Sequence, residues 1–376
     1  MSEWIECRIG DLLDVKHGFA FKGENITSEP TDVVLVTPGN FHIGGGFKDT
    51  KFKYYRGDYP EDYFFRGGEI VVTMTDLSKE SDTLGYSAKI PKNSRIKYLH
   101  NQRVGLLQFY SEKVIPDFIY WLMRTEEYQG FIVGGASGTS IMHTSPSRIK
   151  EYSFLLPPIP EQRAIASVLS SLDDKIDLLH RKNKTLEAMA ETMFRQWFVE
   201  EADEGWEERP IGELFNISSG KGLKKEQFID NGIYPVLGAN GEIGRTNNYL
   251  YDEKLIFTGR VGTLGNIFIV DCKKVWLSDN TLVVRPHKYF YSVYFILKHS
   301  KLEEYNVGST QPLIRQSDVK EIDMSLPPEE TLNHFESLTG ILFLKININK
   351  VQIGILEKLR DTLLPKLMSG EVSVAV

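Results

Sequence analysis

IPEQRAIASVLSSLDDKIDLLHRKNKTLEAMAETMFRQWF, residues 159–198, decides the architecture. From 161 to 198 it holds neither Pro nor Gly, the residues that interrupt a helix. Ile165, Leu172, Leu179, Leu186 and Met193 recur at every seventh position, and Leu169, Ile176, Asn183, Ala190 and Trp197 fill the complementary seam. This a/d heptad pattern predicts one coiled-coil helix, on the order of 60 Å long at ~1.5 Å rise per residue. A small domain cannot bury such a helix, so it needs a partner helix.

The partner lies further along the chain. Phe335, Leu342, Asn349, Leu356 and Leu363 occupy a positions there, and Thr339, Ile346, Ile353, Arg360 and Leu367 occupy d. This helix is expected to reach about Met368 and stop near Gly370, with Pro365 bending its last turn. In an antiparallel pair an a position faces a d position. Asn183 is at d and Asn349 at a, and setting them opposite aligns Ile165 with Leu367, Ile176 with Leu356, Leu179 with Ile353, Leu186 with Ile346 and Trp197 with Phe335. A facing polar pair fixes register, so the helices are predicted to run antiparallel.

The two helices end two copies of one repeat. Trp4-Ile-Glu-Cys-Arg-Ile-Gly-Asp-Leu12 matches Trp206-Glu-Glu-Arg-Pro-Ile-Gly-Glu-Leu214, and Gly18 matches Gly220, both 202 positions on. Asn40 matches Asn240 at 200, Glu69–Thr73 matches Lys254–Thr258 at 185, Tyr98 matches Trp276 at 178, and Gly138, Leu156 and Leu186 match Gly308, Leu326 and Leu356 at 170. The separation only falls, as in one collinear duplication whose second copy is shorter by 32 residues. Ahead of each helix, VVLV, EIVVT and VGLLQFY in the first copy and KLIFT, IFIV and TLVVR in the second read as strands. Residues 116–132 and 291–305 read as one helix per copy. The expected fold class is α+β: globules over 1–155 and 206–327, a helix with linker over 156–205 and a second helix over 328–376, forming a dumbbell with a pseudo-twofold axis.

Composition narrows the function. Forty-four Lys+Arg against 51 Asp+Glu leave a net charge of −7. The globules are near neutral, with 18 basic and 20 acidic residues in the first and 15 of each in the second, while 156–205 carries 6 against 10. Cys7 and Cys272 form no CxxC pair, which argues against a zinc ribbon or redox motif. The first thirty residues carry no apolar run, and no stretch approaches a membrane span, so the expected location is the cytoplasm without membrane contact. A P-loop, a [DNS]-P-P-[YFW] methyltransferase motif and HExxH are all missing, so the chain is expected to be catalytically silent and to hold no metal.

In this order the residues resemble the DNA-specificity subunits of type I restriction–modification systems. GFAFK (18–22), GST-Q-P (308–312), Pro157-Pro158 with Glu161-Gln162, and the endings LEAMAETMFRQWF and LEKLRDTLLPKLMSGEV carry the resemblance, with Thr331 and Leu332 standing where the first copy has Glu161 and Gln162. The resemblance implies two target recognition domains, each reading half of an asymmetric bipartite site on double-stranded DNA. It implies that the helices set the spacing and dock two methyltransferase subunits, which ATP-dependent restriction subunits join. S-adenosylmethionine, ATP and Mg would be used by those partners, with no cofactor bound here.

Cations in Gly/Asn loops beside aromatics suit phosphate contacts. Lys22, Lys48, Lys51 and Arg56 are the candidates in the first globule, and Lys221 and Lys224 in the second. Polar groups after strands suit base edges: Asn40, Thr73 and Thr75, then Asn240, Arg245, Arg260 and Thr263. The two arginines are the sharpest, since Arg takes guanine bidentately. Ser140 and Thr310 are expected to cap short helical turns. Two other readings stay open: a non-DNA-binding coiled-coil scaffold joining two protein partners and, more weakly, a self-sufficient methyltransferase.

Overall fold

The computed structural model describes residues 4–76, 78, 82–93, 95–138, 141–271 and 273–374, so the expectation for Ser140, like Cys272, lies outside the described residues. Seven helices are labelled in chain order: α1 Pro116–Leu122, α2 Glu126–Gly134, α3 Pro146–Lys150, α4 Ile159–Arg195, α5 Phe290–His299, α6 Gln316–Lys320 and α7 Glu329–Met368. The chain divides into two compact units, residues 1–178 with 353–376 and residues 179–352, so each unit holds a stretch of α4 and a stretch of α7.

In the first unit an antiparallel four-stranded sheet runs in the order Leu13–His17, Val104–Phe109, Ile70–Thr73, Ser87–Lys89. A five-stranded sheet beside it contains one parallel pair, Val33–Val36 with Lys97–His100. Ile5–Arg8 pairs with Ser153–Leu156. The second unit repeats this plan. Its four-stranded sheet runs Phe215–Ser219, Thr281–Pro286, Leu255–Gly259, Ile267–Val270; its smaller sheet pairs Tyr234–Gly238 parallel with Trp276–Leu277; Glu208–Pro210 pairs with Asp323–Ser325. The six apolar runs read as strands are strands, because β-branched and aromatic side chains alternate or bury on both faces there.

Two helix expectations need correcting. Residues 116–132 form α1 and α2, not one helix, because Thr125 interrupts the turn: its hydroxyl donates to Leu122 O at 2.9 Å and accepts from Tyr128 N at 3.3 Å, capping α2. Residues 291–305 are helical only to His299, since Lys301 sits at φ +47° and a 3-10 turn follows. Among the described residues Thr310 makes no capping hydrogen bond. The cap position of α6 is Arg315, whose N–H donates to Asp318 Oδ2 at 3.1 Å.

The long helices pack antiparallel within each unit. In the first, Ile165, Leu169 and Ile176 are buried, Leu172, Leu356 and Leu363 half-buried, and Leu364 and Leu367 close the same core as Ile165 and Leu169. Asp173 accepts from Arg124 at 2.6 Å and from Arg360 at 2.7 Å. Burial pushes its carboxyl up, but the two guanidiniums outweigh that and hold it below the usual carboxylate range. In the second, Asn349 Nδ2 donates to Asn183 Oδ1 at 2.8 Å, both side chains nearly inaccessible. Ile346 is buried, Leu186 and Leu342 half-buried, and Trp197 packs on Phe335 with ring centroids 6.1 Å apart. Leu179 in the second unit and Ile353 in the first are each buried as well.

The start of each long helix also anchors a globule helix. Gln162 is fully buried: its carbonyl accepts from Ile115 N, ahead of α1, at 2.9 Å, and its amide donates to Lys113 O and Pro157 O. The second copy has Leu332 there, packed in the core, and the polar work moves one turn along α7. Glu336 accepts from Tyr291 N, Ser292 N and the Ser292 hydroxyl at the start of α5. The Gln-to-Leu departure therefore relocates an anchor rather than removing it.

Candidate nucleic-acid interface

In the second unit the strand ends gather into one loop cluster. Gly220 N donates to Thr281 O (3.0 Å), Lys221 N to Leu277 O (2.9 Å), Ser278 N to Leu237 O (2.9 Å), Arg260 N to Asn280 O (2.8 Å) and Ile314 N to Arg260 O (3.0 Å). A Cβ on Gly220 would lie 2.2 Å from Ser278 O, and one on its counterpart Gly18 would lie 2.0 Å from Asn101 O. Only a residue without a side chain permits that backbone approach. Side chains of Lys221, Asn240, Thr263, Asn266, Asn280 and Gln311 are exposed around the cluster, and Arg260 is half-exposed. Asn266 Nδ2 donates to Asn240 Oδ1 at 3.0 Å, and among the described residues the Asn240 amide nitrogen has no partner. Amides and hydroxyls that both donate and accept, beside cations, suit base edges flanked by phosphates.

The expected residues divide. Lys221, Lys224, Asn240 and Thr263 are exposed, and among the described residues the Arg260 guanidinium has no partner. Arg245 is corrected: Nε donates to Gly232 O at 2.7 Å, Nη2 to Ile233 O at 2.9 Å, and Nη1 pairs with Glu242 at 3.1 Å, so it pins a hairpin to the 229–233 loop. Lys22 and Lys51 are exposed and Lys48 is half-exposed. Arg56 pairs with Glu29 at 2.7 Å on the exposed surface, beside the turn that Lys22 enters. Such an exposed pair is weak and leaves Arg56 available to a phosphate.

Asn40, Thr73 and Thr75 are also corrected, since all three are buried. Asn40 Oδ1 accepts from Thr37 N at 2.9 Å and closes a 3-10 turn. The Thr73 hydroxyl donates to Thr83 O at 2.5 Å and accepts from Gly85 N at 2.9 Å. The Thr75 hydroxyl lies 3.1 Å from Nδ1 of His143, which is exposed. These threonines build loops instead of facing outward.

Backbone bonds show which positions correspond. Met74 N donates to Arg103 O and Thr144 N to Met74 O; in the second unit Arg260 N donates to Asn280 O and Ile314 N to Arg260 O. Thr75 and His143 form one rung, Val261 and Leu313 the matching one. The glycines before them match too: a Cβ on Gly138 would meet Ile141 O at 2.0 Å, and one on Gly308 would meet Gln311 O at 1.9 Å. Sequence reading missed His143, Asn266, Asn280 and Gln311; for His143 and Gln311 the signal was their place just after the matched Gly-Ser-Thr turns. Among the described residues, no group of three or more His, Cys, Asp or Glu side chains could hold a metal.

Comparisons with known proteins agree with one another. The family described as the type I restriction modification DNA specificity domain matches residues 1–188 and 203–361. The MjaIX specificity subunit of a type I restriction enzyme from Methanocaldococcus jannaschii is 28% identical over 305 residues, covering 69% of this chain and 70% of the relative. The HindI specificity subunit from Haemophilus influenzae is 31% identical over 212 residues, covering 53% and 42%. Among solved structures, the S subunit of a type I restriction–modification system from M. genitalium superposes with a TM-score of 0.62 at 21% identity, covering 98% of this chain and 96% of that one, a likeness of fold.

Proposed function

This chain belongs to the type I restriction–modification DNA specificity family and carries two of its domains, and from that premise we propose that it reads an asymmetric bipartite target, one half-site per globule. The observation that carries this reading is the duplicated strand-end cluster. The same backbone bonds recur in both units, while the side chains around them differ: exposed His143 and half-exposed Arg103 border one, half-exposed Arg260 and exposed Asn280 and Gln311 the other. Equal scaffolds with unequal side chains suit two half-sites of different sequence. Lys22, Lys48, Lys51, Arg56, Lys221 and Lys224 serve phosphates, while Asn240, Arg260 and Thr263 approach bases.

The long helices set the half-site separation and dock two methyltransferase subunits, and ATP-dependent restriction subunits join that core. S-adenosylmethionine, ATP and Mg are used by those partners in the cytoplasm; this chain supplies sequence choice and no catalysis. That its relatives are named specificity subunits supports the recognition role. Among the described residues no helix is long and apolar enough to cross a membrane.

Reconstitution with a cognate methyltransferase, followed by genome-wide mapping of methylated adenines, tests the reading. Two different half-sites around an unread gap are expected, and a gapless palindrome would sink it. Salt titration of DNA binding separates it from a scaffold joining two protein partners, which would show no slope.

A further inference from the structure

Resting on the DNA-reading role proposed above, we infer that His143 is a base-reading side chain of the first unit and that Thr75 is its positioning residue. His143 is exposed, yet its backbone is held on both sides. It stands on the strand Met142–His143, paired with Thr75–Asp76, and its N–H donates to Ser137 O at 2.8 Å while its carbonyl accepts from Ser137 N at 3.0 Å. A solvent-facing side chain on so fixed a backbone loses little entropy on binding.

The ring is oriented as well. Thr75 is only 4% exposed, and its hydroxyl lies 3.1 Å from Nδ1 of His143, its one hydrogen-bond partner among the described residues. A buried hydroxyl places its proton on an acceptor. Nδ1 is that acceptor, so the N–H of the ring is the one on Nε2. Asp76, the next residue, does not compete for the ring: its carboxylate accepts from Ser78 N, Thr83 N and the Thr83 hydroxyl, each at 2.6 Å. His143 therefore offers an outward N–H donor from a set position. Such a donor fits an acceptor on a base edge in the major groove: purine N7, guanine O6 or thymine O4.

The matching rung of the second unit is Val261 with Leu313, where neither side chain can donate. The same place in the two clusters is polar in one and apolar in the other. The contact should thus govern one base position in one half-site and none in the other.

The test uses the full chain with its cognate methyltransferase and maps methylated adenines for the wild type, H143A, T75V and T75S. H143A is expected to lose about ten- to a hundredfold discrimination at one base position of one half-site, with the other half and the gap unchanged. T75V should relax the same position to a lesser extent, and T75S, which keeps the hydroxyl, should retain it. An unaltered H143A motif overturns the inference while the DNA-reading role stands. So does an H143A loss that is equal on cognate and random DNA. A wild-type complex that methylates no bipartite motif overturns the reading role and this inference together. Because H143A leaves the buried Thr75 hydroxyl without its partner, the double variant H143A/T75V, which removes both groups, is mapped beside it: the same relaxed position in both reports recognition, and a wild-type motif in the double variant overturns the inference.

Discussion

At the residue scale, two polar contacts along the long helices repay attention. Asn183 and Asn349 are 7% and 2% exposed and joined by one hydrogen bond. Replacing either with Leu strands the other amide, at a cost of about 1–3 kcal/mol. Replacing both should cost less than the sum, which a double-mutant cycle by denaturant unfolding measures; strict additivity would deny the direct contact. Asp173 serves two guanidiniums, so Asp173→Asn should destabilise the protein by about 3 kcal/mol at neutral pH. Its folded-state pKa lies below the unfolded value, so its contribution is present above about pH 4 and is lost as pH falls through the folded value. The stability gap between wild type and variant should therefore close on acidification, as unfolding followed at several pH values would show. Neither Arg124 as a partner of Asp173 nor the burial of Asn40 was legible beforehand. Residue type and loop position are local, whereas the groups that meet Asp173 come from positions 124 and 360.

At the element scale, the long helices were the most legible feature, because a heptad pattern is a local signal repeated many times. The short helices were less so. Apolar spacing runs on through residues 116–132, but the Thr125 cap takes the backbone N–H that continuity would need. The anchors at the helix starts were invisible as anchors. Gln162→Leu copies the residue natural to the second repeat, yet it should destabilise the first unit by about 2 kcal/mol or more, since Ile115 N, Lys113 O and Pro157 O lose their partner. Thermal unfolding would measure this. A neutral Gln162→Leu would mean that water or a neighbour replaces the anchor.

For the whole molecule, the relevant quantities are sequence preference and salt dependence. Among the described residues the Arg260 guanidinium has no partner and stands beside exposed amides, so Arg260→Ala should cost about 1–3 kcal/mol on the cognate sequence and much less on random DNA. Lys221→Ala should weaken both alike and lower the salt slope by about 1. Competition binding at several salt concentrations separates the two outcomes. Equal losses for Arg260→Ala would make it a phosphate contact.

The duplication, the heptads and the antiparallel direction could be derived from sequence alone, because order, spacing and period are properties of the chain itself. Which polar side chains face outward was decided only by tertiary structure. Thr73, Thr75 and Arg245 come at strand ends of suitable composition, but Thr83, His143 and Gly232 take their hydrogen bonds, and a buried threonine must take whatever partner the fold brings. By the same rule His143, unremarkable in sequence, becomes a fixed donor because among the described residues Thr75 has no other partner.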